Sequence, residues 1–506
     1  MKFSFSIILI FLALTSFGQK FSDNDSLFWN LPLQKKLHFH YDNPNMVKFR
    51  EHNYNIGEAE LSFQHREGNY RRAQQAHLQN IANFKADGIS QIDKFVVSGS
   101  FQFDKVWEDS LANTLQGEMD DLSPFYFFVQ KAGKYERQNF VGNVNVRYAG
   151  KFSLLQPGIV FKYHSHWTTR SVDPRPNVAS VAIKFNPYIT AQLQNHRLSL
   201  GFSYGYGDEE NTITYKNRMF STSMLYPERI YYTNQGFGFI SQRDSSSLRR
   251  YDTYLGGNLG YTLEKEYLQL YSVTSFERKV TNSTYDTKLR QRYFKRSEFT
   301  LQSVSHNTLL MLNKNAASHI LELNATYHNG RDYNYNLRAA NYLVKYYNVE
   351  LDYSYTNERW SWGGSTAWSS MEKTDAASAH HHQYSLLSLS INAKRFWHIA
   401  DHILETELRP QYTFKLNNKL SVPSTQVNLF TTSVVYPDYD YFNLEPLMLH
   451  LNIAYNIPSV MKLRGMRLFL RNQILTFVNK SEKETMSLPV EDAQMWQVQA
   501  GIQFSL

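Results

Sequence analysis

The sequence predicts an all-β protein: a transmembrane antiparallel up-and-down β-barrel of about 18 strands (about 16 to 18), with short periplasmic turns and long extracellular loops. Three observations predict this fold. Apolar and polar residues alternate in many stretches, no later apolar run is long enough for a spanning helix, and the chain opens with an export-type segment. A barrel strand needs apolar residues only at alternate positions, so such a chain stays polar on average.

The alternation is clearest in the last stretch, Gln494 to Leu506. Trp496 and Val498 fall on one face of the predicted strand, and Gln497 and Gln499 fall on the other. We expect this stretch to be the closing strand, with its apolar face in lipid.

Connection lengths give a second test of the barrel. With both termini in the periplasm, the even-to-odd connections are short, as at Gln194–His196, whereas most odd-to-even connections are long, as at Gly207–Arg250 and Lys415–Glu445. This sorting is typical of outer-membrane barrels. The same pattern places the second strand at Arg72–Lys85 and the seventh at Arg197–Tyr206.

The composition excludes several classes of protein. Of the 506 residues, 42% are hydrophobic and the mean hydropathy is -0.49, which is too low for a helical membrane protein. The absence of cysteine excludes disulfides, thiolate metal sites and lipid attachment through an N-terminal Cys. The net charge of +8 comes without a basic stripe, so we expect no nucleic-acid partner.

The chain divides into three predicted regions. Residues 1–18 contain Lys2 and an apolar run, and they predict a cleaved secretory signal peptide. Residues 19–53 show no sustained alternation and predict a periplasmic or lumen-inserted arm. Residues 54–506 predict the outer-membrane barrel.

Several short runs carry a resemblance to a known family. Ile56–Leu61, Phe84–Ile89 and Val97–Phe101 resemble those of a Bacteroidota-type family of outer-membrane β-barrels that has no assigned function. The resemblance extends over essentially the whole mature chain and implies fold and location, with no catalytic residue. Leu506 departs from the aromatic last residue of many outer-membrane barrels, and Phe504 is the candidate to replace it.

Two groups of histidines are candidate ligands. His380, His381 and His382 lie in a predicted outer loop, where imidazoles on one flexible segment can converge on Zn²⁺ or Cu²⁺, although a solvated tract is the more common outcome. His164 and His166 have strand spacing i, i+2 and therefore share a face, as ligands, a proton-sensitive pair or ordinary lumen residues.

A lumen charge pattern is the remaining candidate site. The predicted strands place six charged residues inward, where a ring of charge sets solute preference, although any lumen must be polar. These residues are Glu322, Glu350, Asp352, Glu405, Glu407 and Arg409.

A hydrolase is the least favoured class. Ser165 lies between His164 and His166, and neighbouring strand residues point to opposite faces, so they form no nucleophile–base pair. The doublet Asp120-Asp121 resembles an acidic pair but is more typical of a solvated loop.

The leading functional hypothesis is a porin-like channel for small solutes, passive or gated by loops. The alternative is a surface-exposed binding or anchoring barrel that acts with protein or glycan partners through its long loops. We expect contacts with outer-membrane lipid and with the barrel assembly machinery, no enzymatic activity and no cofactor.

Overall fold

Eighteen strands of the described part of the chain pair in sequence order, each antiparallel to its neighbours, in one closed sheet. The computed structural model describes residues 30–46, 56–148, 150, 154–222, 224–242, 245–285, 294–314, 317–460, 463–477 and 494–506. In chain order, the barrel strands are β1 (Ile56–Gly68), β2 (Leu78–Ile92), β3 (Phe95–Leu111), β5 (Gly133–Tyr148), β6 (Leu155–Arg170), β7 (Arg175–Leu193), β8 (His196–Thr214), β11 (Ser247–Glu264), β12 (Leu268–Tyr285), β13 (Phe294–Lys314), β14 (Ala317–Asn334), β15 (Tyr342–Thr356), β16 (Trp360–Asp375), β17 (His380–Ile399), β18 (His402–Ser421), β19 (Pro446–Val460), β20 (Leu463–Phe477) and β21 (Met495–Ser505).

The remaining elements lie between or before the barrel strands. Three short strands form a second sheet, and two helices flank them in the chain: α1 (Leu31–Asp42), β4 (Phe125–Phe128), β9 (Tyr232–Gln235), β10 (Ile240–Gln242) and α2 (Tyr436–Asn443). Short 3₁₀ turns span Arg218–Ser221, Pro227–Arg229 and Ser424–Gln426, and a π-helical turn spans Thr431–Val435 just before α2. In the described residues, no helix has the length and apolar character needed to cross a bilayer.

The barrel closes between its first and last strands. β1 pairs with β21 from Glu58 opposite Ser505 to Gly68 opposite Met495. Every described barrel strand therefore has a neighbour on both sides, and the ladder satisfies the backbone hydrogen bonds. The predicted antiparallel barrel and its closing strand are confirmed.

The outer face of the barrel is apolar. Along β8, Leu198, Leu200, Phe202, Tyr204 and Tyr206 point outward, and half or more of each side chain is exposed. The strand continues beyond them, which corrects the prediction that it ends at Tyr206: Asp208 also faces outward and pairs with Arg249 of β11 at 2.9 Å. The apolar pattern stops here while the hydrogen-bonded ladder continues.

The predicted second strand is wrong in position. It was expected at Arg72–Lys85, but β2 runs from Leu78 to Ile92. The segment Ala86–Gly88 has low strand propensity, yet it pairs with β1 on one side and β3 on the other. Pairing across the sheet therefore overrides the local preference.

The two ends of the barrel differ. At one end the strands are joined by short turns, such as the two residues between β7 and β8, and at the other end by mostly long segments. We call these the short-turn end and the long-loop end. This confirms the predicted sorting, although the loops predicted to start at Gly207 and Lys415 begin later, because β8 continues to Thr214 and β18 to Ser421.

Candidate functional site

A helix inside the barrel occupies the short-turn end of the lumen. α1 starts after Asn30, whose side chain accepts a hydrogen bond from the Leu33 backbone N–H, and Pro32 lies in its first turn. These are ordinary helix-start signals. Residues 30–46, which we call the arm segment, are the described part of the predicted arm.

Apolar side chains hold the arm segment to the wall. Leu37, Tyr41 and Met46 are buried, and they belong to one cluster with Tyr271 of β12 and Met311 of β13. Burying side chains of this size stabilises the contact by about 1.5–3 kcal/mol each.

Polar side chains of the arm segment contact strands on different parts of the barrel wall. Asn45 Nδ2 lies 2.7 Å from Ser199 Oγ on β8, and His40 Nε2 lies 3.1 Å from Ser98 Oγ on β3. Burial, and then nearby cationic side chains, lower the pKa of His40 well below its usual value, so the docked imidazole is neutral. The arm segment therefore bridges distant parts of the wall.

A second structure closes the long-loop end. We call the sheet of β4, β9 and β10, together with residues 422–445, the cap. Its Phe128, Phe430 and Phe442 are buried against Tyr342 of β15 and Tyr384 of β17, which face inward. The rings of Tyr384 and Phe442 stack with their centroids 3.8 Å apart. The cap thus packs against the inner wall.

Arg72 ties three loop regions together at the cap. Its guanidinium pairs with Asp438 of α2 at 3.0 Å and with Asp121, and the Ala73 backbone N–H donates to Asp438 at 2.9 Å. Burial pushes the pKa of Asp121 upward, but the charges of Arg72 and Lys373 hold it below its usual value. The Asp121 carboxylate is therefore charged, and both acidic side chains depend on Arg72 as their partner.

A barrel residue also holds the cap. Asp375, the last residue of β16, is fully buried, and its Oδ2 accepts hydrogen bonds from the backbone N–H groups of Phe237 and Phe239 at 2.7 and 2.8 Å. These two residues lie between β9 and β10. The cap is thus anchored to the barrel by hydrogen bonds as well as by apolar packing.

A polar cavity of about 570 Å³ lies in the lumen against β1, β2, β3, β5 and β21. Residues 114, 116, 118 and 119, from the loop after β3, line it as well. Glu118 of this loop lies 3.2 Å from His164 of β6. Burial raises the pKa of Glu118, but the hydrogen bond from His164 and the nearby His166 lower it below its usual value.

A smaller cavity adjoins the first. It measures about 280 Å³, and Arg66 and Gln75 line both cavities. Its other walls include Tyr441 and Phe442 of α2 and Met448 of β19. The lumen thus has a cavity lined by many amides next to a smaller one lined by aromatic as well as polar side chains.

All six predicted lumen charges lie on inward-facing strand positions. Glu322 pairs with Lys35 of the arm segment. Glu405 pairs with Arg467 at 2.9 Å, and Lys394 lies 3.4 Å from Glu407. These charges are largely used within the protein, so their effect on solutes stays a prediction.

The other three charges lie near one another on the same side of the barrel, on β15 and on β18, with β16 and β17 between them. Glu350 and Asp352 share the inward face of β15 with the buried Val344. Arg409 of β18 donates from Nη2 to Ser365 Oγ at 2.9 Å. Ser365 is paired across the sheet with Asp352.

The histidine tract is not in a loop, which corrects the prediction. His380, His381 and His382 begin β17, so the middle residue faces away from the other two. His380 contacts Thr431 Oγ1 and His382 contacts Asn418 Oδ1, each at 2.9 Å. Among the described residues, no group of three or more His, Asp or Glu side chains is placed to hold a metal ion.

His164 and His166 share the inward face of β6, and Ser165 lies on the opposite face. His166 Nδ1 lies 2.6 Å from Asn139 Oδ1, and its Nε2 lies 2.7 Å from Thr168 Oγ1. Of the acidic doublet, Asp121 pairs with Arg72 and Asp120 accepts from the Leu122 backbone N–H. Both acidic residues therefore hold loops in place.

The helix α1 and the amide lining of the cavity are not among the features predicted from the sequence. The signals for α1 were present: Asn30 and Pro32 mark a helix start, and Leu33, Leu37 and Tyr41 recur at helical spacing. The lining glutamines carried no such signal, because only the strand pairing brings them together.

Taken together, these features define a closed β-barrel whose lumen is occupied at both ends by its own chain. Residues 47–506 match the family of unknown function DUF6850, and the chain belongs to that family. The family without assigned function that the sequence suggests is thus confirmed, whereas its Bacteroidota origin stays a prediction. No curated protein matches the sequence.

Similar solved structures include three barrels. The copper transporter OprC has 8% identity and a TM-score of 0.42, covering 91% of this chain and 82% of that chain. The ferric citrate transporter FecA in the unliganded form has 8% identity and a TM-score of 0.42, covering 89% and 79%. OccAB3 of Acinetobacter baumannii has 10% identity and a TM-score of 0.35, covering 89% and 99%. Values this low do not indicate what the chain binds.

Proposed function

We propose that this protein is a bacterial outer-membrane barrel that passes small polar solutes through a lumen gated by its own arm segment and cap. The observation that carries the proposal is the polar cavity of about 570 Å³ in a lumen whose two ends the arm segment and the cap occupy. The apolar outer face suits lipid, and the polar inner face suits a hydrated path. Outer-membrane lipid and the barrel assembly machinery are the partners that such a location implies.

A gated path fits better than a permanently open pore. An 18-stranded barrel is wide enough for an aqueous channel unless something fills it. Here the apolar cluster around Met46 fills the short-turn end, and the cluster around Phe430 fills the long-loop end. Passage of a solute therefore requires movement at both ends of the lumen.

Liposome swelling tests the proposal. The full-length protein is reconstituted into liposomes, and swelling is followed in isotonic solutions of neutral solutes from glycerol to a tetrasaccharide. We expect uptake above that of protein-free liposomes, with a sharp decline as solute size increases. Swelling at the protein-free level for every solute would overturn the proposal.

A surface-exposed binding barrel is the second candidate function. In the segment between β8 and β9, Met219, Met224 and Leu225 are 64%, 80% and 79% exposed at the long-loop end. Exposed apolar clusters often mark interaction sites. Recovery of a stable partner from intact membranes, lost when all three residues become Ser while swelling is unchanged, would favour this candidate.

A further inference from the structure

We propose that the polar cavity is a binding site for a short neutral oligosaccharide. This inference rests on the proposed function and names the class of solute that the gated lumen takes. It comes from four features of the cavity: its amide lining, the internal pairing of its charges, the aromatic side chains of the adjoining cavity and the unpaired polar side chains in the lining.

Carboxamide side chains dominate the lining. Nine of the twenty lining residues are Gln or Asn, contributed by five barrel strands and by the loops after β1 and β3. A carboxamide both donates and accepts hydrogen bonds, as does each hydroxyl group of a sugar. Such a lining matches a ligand that presents many donor–acceptor groups and no charge.

The charges in the lining mostly compensate one another. Arg137 Nε lies 2.7 Å from Glu108 Oε2, and Asp104 accepts from Asn83 Nδ2 and Gln102 Nε2 at 2.6 and 2.9 Å. The lining holds two cationic and three anionic residues in all, so it offers no net attraction to an anion. These pairings disfavour an ionic solute or a zwitterionic peptide.

The adjoining cavity supplies the other half of a saccharide site. Its lining includes Tyr70, Tyr441 and Met448. Sugar rings carry apolar C–H faces, and these faces pack against such side chains. The hydroxyl groups of the sugar do not pack in this way. Because Arg66 and Gln75 line both cavities, one chain of two or three sugar rings can contact both.

Two side chains keep polar groups available. Gln64 of β1 and Arg66 line the cavity, and neither forms a hydrogen bond or ion pair with another described residue. Both side chains are only partly buried, so a ligand in the cavity can reach them. Gln64 is the residue to test because its amide both donates and accepts hydrogen bonds and carries no charge.

Equilibrium binding is the direct test. The full-length protein, purified in a detergent without a sugar headgroup, is titrated calorimetrically with maltotriose, cellotriose, raffinose, triglycine and citrate. We expect saturable binding of at least one trisaccharide and none of triglycine or citrate. Gln64→Leu is expected to weaken that binding about fivefold to tenfold, the effect of one lost hydrogen bond.

A matched control is Gln411→Leu. Gln411 also faces the lumen, from β18, but lines neither cavity. We expect wild-type affinity for this variant, with both variants showing wild-type thermal unfolding. Absence of trisaccharide binding, preference for triglycine or citrate, or equal effects of the two variants would overturn the inference.

The outcomes separate this inference from the proposed function. Binding needs no passage across the membrane, so trisaccharide binding without liposome swelling would support the site and contradict the gated path. Swelling without trisaccharide binding would support the path and contradict the site.

Discussion

The Lys36 ammonium of the arm segment lies 3.2 Å from Oε1 of Glu264, the last residue of β11. The same carboxylate oxygen accepts a hydrogen bond from Tyr271 Oη at 2.6 Å. Both charged side chains are largely shielded from solvent, at 16% and 24% exposure. The pair therefore joins the arm segment to the short-turn end of the wall in a setting where charge matters more than at an open surface.

Removing this ion pair should loosen the arm segment. We expect Lys36→Met to weaken docking by about 1–2 kcal/mol, between the values for exposed and buried pairs. The measurement is the open probability in planar bilayers, which should rise several-fold. Lys295→Met, which removes an exposed pair with Glu298, is the control and should leave the open probability unchanged.

A side chain at Gly260 should displace the arm segment more strongly. Gly260 faces inward from β11, and an added Cβ would overlap the Met46 side chain. We expect Gly260→Leu to raise the bilayer conductance and to expose residues 43–46 to hydrogen exchange. Gly142→Leu, on the outer face where a Cβ meets nothing closer than 3.8 Å, should do neither. Equal exchange in the two variants would contradict the placement of Met46.

Acid should also weaken docking of the arm segment. Burial lowers the pKa of His38 to about 4 and that of His40 well below its usual value, and nearby cationic residues add to both effects. A released segment takes up protons below about pH 6.5, whereas the docked one does not. Docking is thus strongest above that pH and is lost as the pH falls.

The size of the pH effect follows from the difference in proton binding between the released and the docked arm segment. Between pH 7.5 and 5.5, each histidine should reduce the docking equilibrium about tenfold. The open probability measured at pH 7.5 and at pH 5.5 gives the ratio of the docking equilibrium at the two pH values. His38→Gln should reduce this ratio by about one factor of ten. An open probability that is flat or falls with acid would contradict neutral burial of these side chains.

Arg72, in the loop between β1 and β2, should be the residue on which the cap depends most. Arg72→Met leaves Asp438 and Asp121 without their common partner, and Asp438 is only 8% exposed. We expect about 2–4 kcal/mol less stability of the cap, since an unpaired buried charge is costly. Faster hydrogen exchange in 69–77 and 431–443 is the readout. Arg249→Met, which breaks a more exposed pair with Asp208, should leave those segments protected.

The apolar outer face of β8 ends at Asp208, so the destabilisation caused by an introduced charge should depend on which side of Asp208 the charge lies. Leu200→Arg places a charge in the apolar band, for which we expect about 2–4 kcal/mol of destabilisation. Thr212→Arg, on the same strand but beyond Asp208, should cost less than about 1 kcal/mol. Denaturant unfolding in liposomes gives both values. A similar loss for the two variants would place the boundary elsewhere.

Lipid contact explains which parts of the barrel the sequence predicts. Leu198 to Tyr206 alternate because one face meets hydrocarbon, and this pattern identifies the strand. Beyond Tyr206 the outward residue Asp208 is free to be polar, so the signal ends although the strand continues to Thr214. The same reason hides the true start of β17 and led His380 to be assigned to a loop.

The lumen is less predictable because its contacts join distant segments. Glu322 and Arg409 were assigned inward from strand alternation alone, but nothing local indicated that Lys35 would pair with Glu322. Likewise, Gln64 and Gln116 line one cavity only because a loop folds back into the barrel. Inward direction can be predicted from periodicity, whereas partners across a lumen require the closed fold.

A reversible tether tests the central claim that the chain itself closes its lumen. The protein lacks cysteine, and Asn45 Nδ2 lies 2.7 Å from Ser199 Oγ, so Asn45→Cys with Ser199→Cys places two thiols near each other, where a direct disulfide or a short reducible bis-methanethiosulfonate bridge can join the arm segment to β8. We predict that the cross-linked double variant stays closed in planar bilayers and that a reductant restores openings, with both single variants insensitive to the reductant. Equal conductance of the cross-linked and reduced double variant, with the cross-link verified, would contradict the claim.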